Sequence, residues 1–159
     1  METGSLELGV RGEAWLSGDI KDQATIDVSH GAFKFVKDNF DYFQTVTVTV
    51  GNLYPSIWVM ENFYIALGGT VPVHLSLGVT YNDPDGVYAC MTIAWTVTYP
   101  DGSQASGSGI PALIALLDGY QLHPCETITI YLDKHLEQCA PQGKTASFTL
   151  TVTGTQYNY

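Results

Sequence analysis

The run Thr45-Val46-Thr47-Val48-Thr49-Val50 repeats strictly every two residues. Such a repeat puts the valines on one face of an extended strand and the threonines on the other, so it cannot form an amphipathic helix. The same device returns near the end of the chain in Ser147-Phe148-Thr149-Leu150-Thr151-Val152-Thr153. Between these runs, residues 71–80, 91–99 and 127–133 alternate in the same way, and 6–16, 24–28 and 32–36 are earlier strand candidates. Turn-forming residues punctuate them at Gly51-Asn52, Gly68-Gly69, Asn82-Asp83-Pro84-Asp85-Gly86, Pro100-Asp101-Gly102 and Pro141-Gln142-Gly143. Short alternating strands with this punctuation predict an all-β fold, a jelly-roll-like antiparallel β-sandwich. Residues 110–117 are the one helix candidate, two turns or a covering loop, with Pro111 near the front where Pro is tolerated. Residues 103–109 read as a flexible connection.

The 159 residues fit one domain, and no internal repeat divides them. Sixteen acidic against six basic side chains give a net charge of -10. That field opposes nucleic-acid binding by phosphate neutralisation and docking on anionic lipid. No stretch approaches the roughly 20 apolar residues of a membrane helix, which argues against membrane insertion. The opening Met-Glu-Thr-Gly-Ser lacks the basic and apolar regions of a signal peptide, so an extracellular reading takes the chain as a processed form.

Motifs for catalysis are missing. His30, His74, His123 and His135 are scattered, and no zinc motif, nucleophile elbow or phosphate loop occurs. Glu126 and Glu137 have no spacing that favours an acid/base pair, and Cys90 reads as an inert thiol. The expectation is a protein without enzymatic activity. Hard oxygen ligands do cluster in the loop of Asn82, Asp83 and Asp85, and Asp19 with Asp22 makes another pair, as does Asp38 with Asp41. These are candidate calcium ligands, against a plain reading as solvated Asx turns. Three cysteines allow one disulfide: Cys125 with Cys139 is the favoured pair, both in loops at strand ends, and Cys90 with either is the alternative.

Two segments carry a family cadence. One is Leu53-Tyr54-Pro55 with Val71-Pro72-Val73 after Gly68-Gly69. The other runs from His123-Pro124-Cys125-Glu126-Thr127-Ile128 through Ala140-Pro141-Gln142-Gly143 to Thr153-Gly154-Thr155-Gln156-Tyr157-Asn158. Together they resemble TasA/camelysin-type secreted β proteins over residues 45–80 and 120–159. Cys125 stands where that family has Gly, and Tyr157 where it has Trp. The resemblance implies an extracellular filament, pilus or tube subunit, of the kind found in biofilm fibres, archaeal bundling pilins and cannulae. Such subunits form a homopolymer by donor-strand exchange, with calcium associated with assembly in the tube-forming members.

On that reading residues 1–18 are a donor segment and 19–159 the domain. The donor face comprises Leu6, Leu8, Val10, Ala14 and Leu16, with Trp15 as an anchor in mid-strand. Few lysines guard the Thr-rich strands against joining another strand. The alternative is a carbohydrate-binding or cell-surface adhesion β-sandwich module. Trp58, Tyr54 and Tyr64, with Tyr157 and Tyr159, would then stack on sugars.

Overall fold

A computed structural model describes residues 8–18 and 21–156. Its strands are β1 (Leu8–Ser17), β2 (Thr25–His30), β3 (Phe33–Lys37), β4 (Phe40–Phe43), β5 (Thr45–Leu53), β6 (Trp58–Leu67), β7 (Val73–Asn82), β8 (Met91–Thr98), β9 (Gln104–Ser108), β10 (Gln121–Leu122), β11 (Thr127–Leu136) and β12 (Lys144–Gln156). Among the described residues one α-helix, α1 (Ile110–Leu117), joins β9 to β10. The strands form two antiparallel sheets, one ordered β3-β4-β1-β6-β11-β8-β9 and the other β10-β7-β12-β5-β2. The fold is therefore the antiparallel β-sandwich that the alternation predicts.

The period of two builds the core directly. Val46, Val48 and Val50 of β5 and Phe148, Leu150 and Val152 of β12 face inward, against Phe63 and Ile65 of β6 and Ile128, Ile130 and Leu132 of β11. On α1, Ile110, Leu113 and Leu117 are buried at a spacing that defines one helical stripe. Gly109 precedes the helix at φ 83°, and Pro111 falls in its first turn. The candidate flexible segment 103–109 is instead largely the edge strand β9, registered on β8 from Thr98↔Gln104 to Ala94↔Ser108.

One expectation concerns the first strand. β1 lies third in the seven-stranded sheet of its own chain, pairing β6 over ten residues from Leu8↔Leu67 to Ser17↔Trp58, with β4 on its other side. Leu8 and Val10 are buried in the sandwich, and Ala14 and Leu16 pack against it. In this conformation the candidate donor residues serve the chain's own core, because their alternation matches its inner face. Trp15 has the opposite parity and points outward. Leu6 lies outside the described residues.

The disulfide corrects a second expectation. It joins Cys90 to Cys139, with Cα atoms 5.7 Å apart, and Cys125 is free and exposed. Register explains the choice: Leu136 pairs Met91, so the residues just past the end of β11 meet those just before β8. The Glu137 N–H donates to the Cys90 carbonyl at 2.8 Å in the same place. Cys125 lies beyond the opposite end of β11, a strand roughly 33 Å long. Cys125 adopts φ 69°, a left-handed conformation that glycine takes without strain.

Candidate functional site

The outer face of the seven-stranded sheet brings together side chains scattered through the sequence. Antiparallel pairing aligns them in rows. Trp15, Met60 and Asp133 share one row across β1, β6 and β11; Glu13, Asn62, Tyr131 and Thr96 share the next, continuing onto β8; Arg11, Tyr64 and Thr129 share a third. Trp58 and His135 pair in the row beyond Trp15. Trp15 and Trp58 are 40% and 37% exposed, high values for indoles on a regular strand. They are diagonal cross-strand neighbours, a relation that puts their Cβ atoms roughly 7–8 Å apart.

Neighbouring groups hold these rings and their polar partners in place. The Trp58 ring stacks on His135 with centroids 4.0 Å apart and an interplanar angle of 22°. His135 Nδ1 lies 3.2 Å from Glu137 Oε2, and the Thr92 hydroxyl donates to that same oxygen at 2.7 Å. These contacts, the Thr92 bond foremost, hold the Glu137 carboxyl below the ordinary carboxylate range. On the other side of Trp15, Glu13 Oε1 accepts from the Tyr64 hydroxyl at 3.1 Å and from Asn62 Nδ2 at 3.4 Å. The Arg11 guanidinium is clamped between the rings of Phe40 and Tyr64, 3.7 and 4.0 Å from their centroids.

Two polar atoms on this face, Arg11 Nε and Asp133 Oδ1, are shielded and have no hydrogen-bond partner among the described residues. Desolvation raises the Asp133 carboxyl above its usual range, with the nearby His135 opposing it.

An aromatic cluster closes one end of the face. Phe35 and Tyr42 stack at 5.1 Å over Ala66, with Tyr64 packed alongside. Small residues make the seat: a Cβ at Gly68 would stand 2.6 Å from the Phe35 ring, and one at Gly9 would stand 2.8 Å from Tyr42 Cβ.

The face thus joins residues that the sequence assigned to different roles. The sugar-stacking candidates Trp58 and Tyr64 both stand there, Tyr64 with Arg11 over its ring, and Trp15 of the candidate donor strand joins them. Tyr54 is half-buried in the turn after β5, away from the regular strands, and Tyr157 and Tyr159 lie outside the described residues. Asn62 and Tyr131 carry no signal in the sequence, because only the register of β6 between β1 and β11 brings them beside Trp15.

The candidate calcium ligands are not gathered in this way. Asp83 caps the short 3-10 helix Val87–Cys90, accepting from the Val87 and Tyr88 N–H groups at 2.8 Å each. Both of its carboxylate oxygens are thereby committed to the N–H groups that open that helix, beside exposed Asn82 and Asp85. Asp22 pairs with Lys21 at 3.2 Å, Asp38 with Lys37 at 3.6 Å, and Asp19 lies outside the described residues. Among the described residues no three His, Cys, Asp or Glu side chains stand where they could hold a metal ion together. Glu126 bonds the His123 N–H at 2.8 Å, at the far end of β11 from Glu137, so these two carboxylates form no acid/base pair.

No family model and no curated protein matches the chain. Among solved structures, it is similar to TmCBM61 in complex with β-1,4-galactotriose, at 12% identity and a TM-score of 0.38, covering 89% of this chain and 88% of that one. It is also similar to a family 123 glycoside hydrolase from Clostridium perfringens, at 9% identity and a TM-score of 0.40, covering 86% of this chain and 25% of that one.

Proposed function

We propose that the chain is a non-catalytic glycan-binding module that uses the outer face of the seven-stranded sheet. The observation that carries this reading is the pair of exposed indoles, Trp15 and Trp58, on one open face with Glu13, Asn62, Tyr131 and Asp133 between and beside them. A pyranose ring presents a patch of C–H groups on its faces and hydroxyls around its rim. Indoles supply apolar rings of matching size, and amide, phenol and carboxylate groups bond the rim. Trp58 and Tyr64 are six residues apart on β6, a span of about 20 Å, which suits an oligosaccharide of several rings. The Cys90–Cys139 disulfide fits an extracellular setting, where such polymers are met.

Affinity electrophoresis of the full chain through gels cast with a panel of soluble polysaccharides tests the reading. Retardation by at least one polymer, reversed by its oligosaccharide, is expected. Unretarded migration through the whole panel would refute it.

A second reading, a filament subunit built by strand exchange with identical copies, is favoured by one observation. β1 is the first strand, sits between β4 and β6, and ends at Gly18 with φ 119°, so a copy could lend it as a unit. Light scattering and electron microscopy of the concentrated protein, with and without calcium, test this. A monomer at every concentration would sink it.

A further inference from the structure

Two charged side chains lie inside the sandwich. Glu61 of β6 and Lys134 of β11 are both fully buried on the inner face, where their strand neighbours of the same parity, Val59, Phe63, Leu132 and Leu136, are apolar. Glu61 pairs Leu132 and Lys134 pairs Val59, so sheet register fixes the two as diagonal neighbours. Lys134 Nζ lies 2.9 Å from Glu61 Oε2 and 2.9 Å from the Tyr88 hydroxyl, and 3.6 Å above the centre of the Phe148 ring. Glu61 Oε1 has no hydrogen-bond partner among the described residues.

As an ion pair this arrangement is expensive. Each charge loses its hydration, the attraction between them offsets only part of that loss, and one carboxylate oxygen remains unbonded. Burial drives Glu61 upward and Lys134 downward from their usual pKa values, although each draws the other back. Both displacements favour the neutral acid beside the neutral amine. In that state the amine nitrogen stands 2.9 Å from one oxygen of the neutral carboxyl, and both groups are fully buried.

We propose that Glu61 and Lys134 condense to an intramolecular isopeptide bond that staples β6 to β11. A proton first passes from the ammonium to the carboxylate. The amine lone pair then attacks Glu61 Cδ, forming the C–N bond. The C–O bond to Oε2 breaks, and Oε2 departs as water, carrying the proton it took from the ammonium and one more from the nitrogen beside it, while Oε1 remains as the amide oxygen. Nothing is oxidised or reduced, and no further reagent enters. The Tyr88 hydroxyl, 2.9 Å from Nζ, holds that nitrogen in position for the attack; burial keeps that phenol well above its usual pKa. Fixed proximity stands in for an activated acid, since held reactants reach effective molarities on the order of 10⁵–10⁸ M. The dry core also withholds the water that the reverse reaction needs.

Intact-mass measurement of the full wild-type chain, denatured and with its disulfide reduced, tests the proposal. A mass below that of the sequence by one water is expected, with tandem mass spectrometry of a digest finding the Glu61 and Lys134 peptides joined. Lys134→Arg should restore the full sequence mass. A wild-type chain at full sequence mass after reduction, or a water loss mapped to another pair of residues, would overturn it. The wild-type measurement decides the matter even where the variant fails to fold.

Discussion

On the outer face of the five-stranded sheet, Thr47 meets Thr149 and Thr49 meets Ser147, each pair of hydroxyl oxygens 2.9 Å apart. β7 continues these rows with Thr80 and Asn82, and Thr45, Thr151 and Gly78 make the next. Among the described residues this face holds no Trp, Tyr or Phe. The outer face of the seven-stranded sheet has the same pleat and the same exposure to water, yet carries Trp15, Trp58, Tyr64 and Tyr131. Threonine shows what an open face of this sandwich needs: β-branched stiffness, a hydroxyl for its neighbour and little apolar area. Aromatic rings on the opposite face go beyond that need, and leaving indoles in water is unfavourable. On the proposed function, the difference separates residues that serve the fold from residues that would serve a ligand.

The two sheets are also tied differently, and the largest expected effect tests this. β8 and β11 of the aromatic sheet are joined near their ends by Cys90–Cys139, while the other sheet relies on its hydroxyl ladder. A link closing 49 residues restricts the unfolded chain by about 4 kcal/mol. Replacing both cysteines by serine should lower the melting temperature, read by calorimetry, far more than removing any one threonine pair. Equal effects would mean that the sheets are tied alike.

The next expected effect is on binding alone. Replacing Trp15 and Trp58 together with alanine should weaken retardation by the best polysaccharide a hundredfold or more, taking about 2 kcal/mol for each anchor aromatic. The variant should keep the wild-type melting temperature within a few degrees, since both rings stand largely outside the core. Unchanged retardation would return the two tryptophans to the same standing as the threonines.

The threonine face supplies the converse. Thr149→Ala removes one partner of a bonded pair and should cost about 0.5–1 kcal/mol in denaturant unfolding, with retardation unchanged. A loss of binding here would move the site to the other sheet.

The contrast between the faces also explains what the sequence disclosed. β5, β7 and β12 are legible because one parity is apolar and the other small or polar, Thr or Ser above all, so the period of two stands out. β6, the central partner of β1 and β11, was not among the expected strands. Its inner face includes Glu61, and its outer face includes Trp58, Met60 and Ala66, so both parities mix polar and apolar residues. The features that hide the strand are the same ones on which both proposals rest: an acid placed in the core and rings placed in water. Trp58 and Tyr64 were legible as sugar-stacking candidates by residue type. In the sequence Trp15 reads as a strand anchor, because nothing in one strand tells which sheet face its neighbours complete. The disulfide needed the register of β8 on β11, and linear spacing does not contain it.

The smallest effect concerns pH and refines the aromatic face rather than testing it. Glu137 accepts from the Thr92 hydroxyl and lies beside His135, whose ring supports Trp58. The carboxyl is held below its ordinary value of 4.5, so the folded state takes up a proton less readily than the unfolded chain. The stability this adds is fully present above pH 4.5 and is lost as pH falls through the lowered folded value. Thr92→Val removes the main cause and should flatten the acid limb of a plot of melting temperature against pH, with little change at neutrality. If Glu137 steadies Trp58 through His135, the same variant should weaken glycan retardation slightly at neutral pH, by much less than loss of the indole. An acid limb identical to wild type would show that the Thr92 bond does not hold the carboxylate, and the support of Trp58 would then rest on the His135 stack alone.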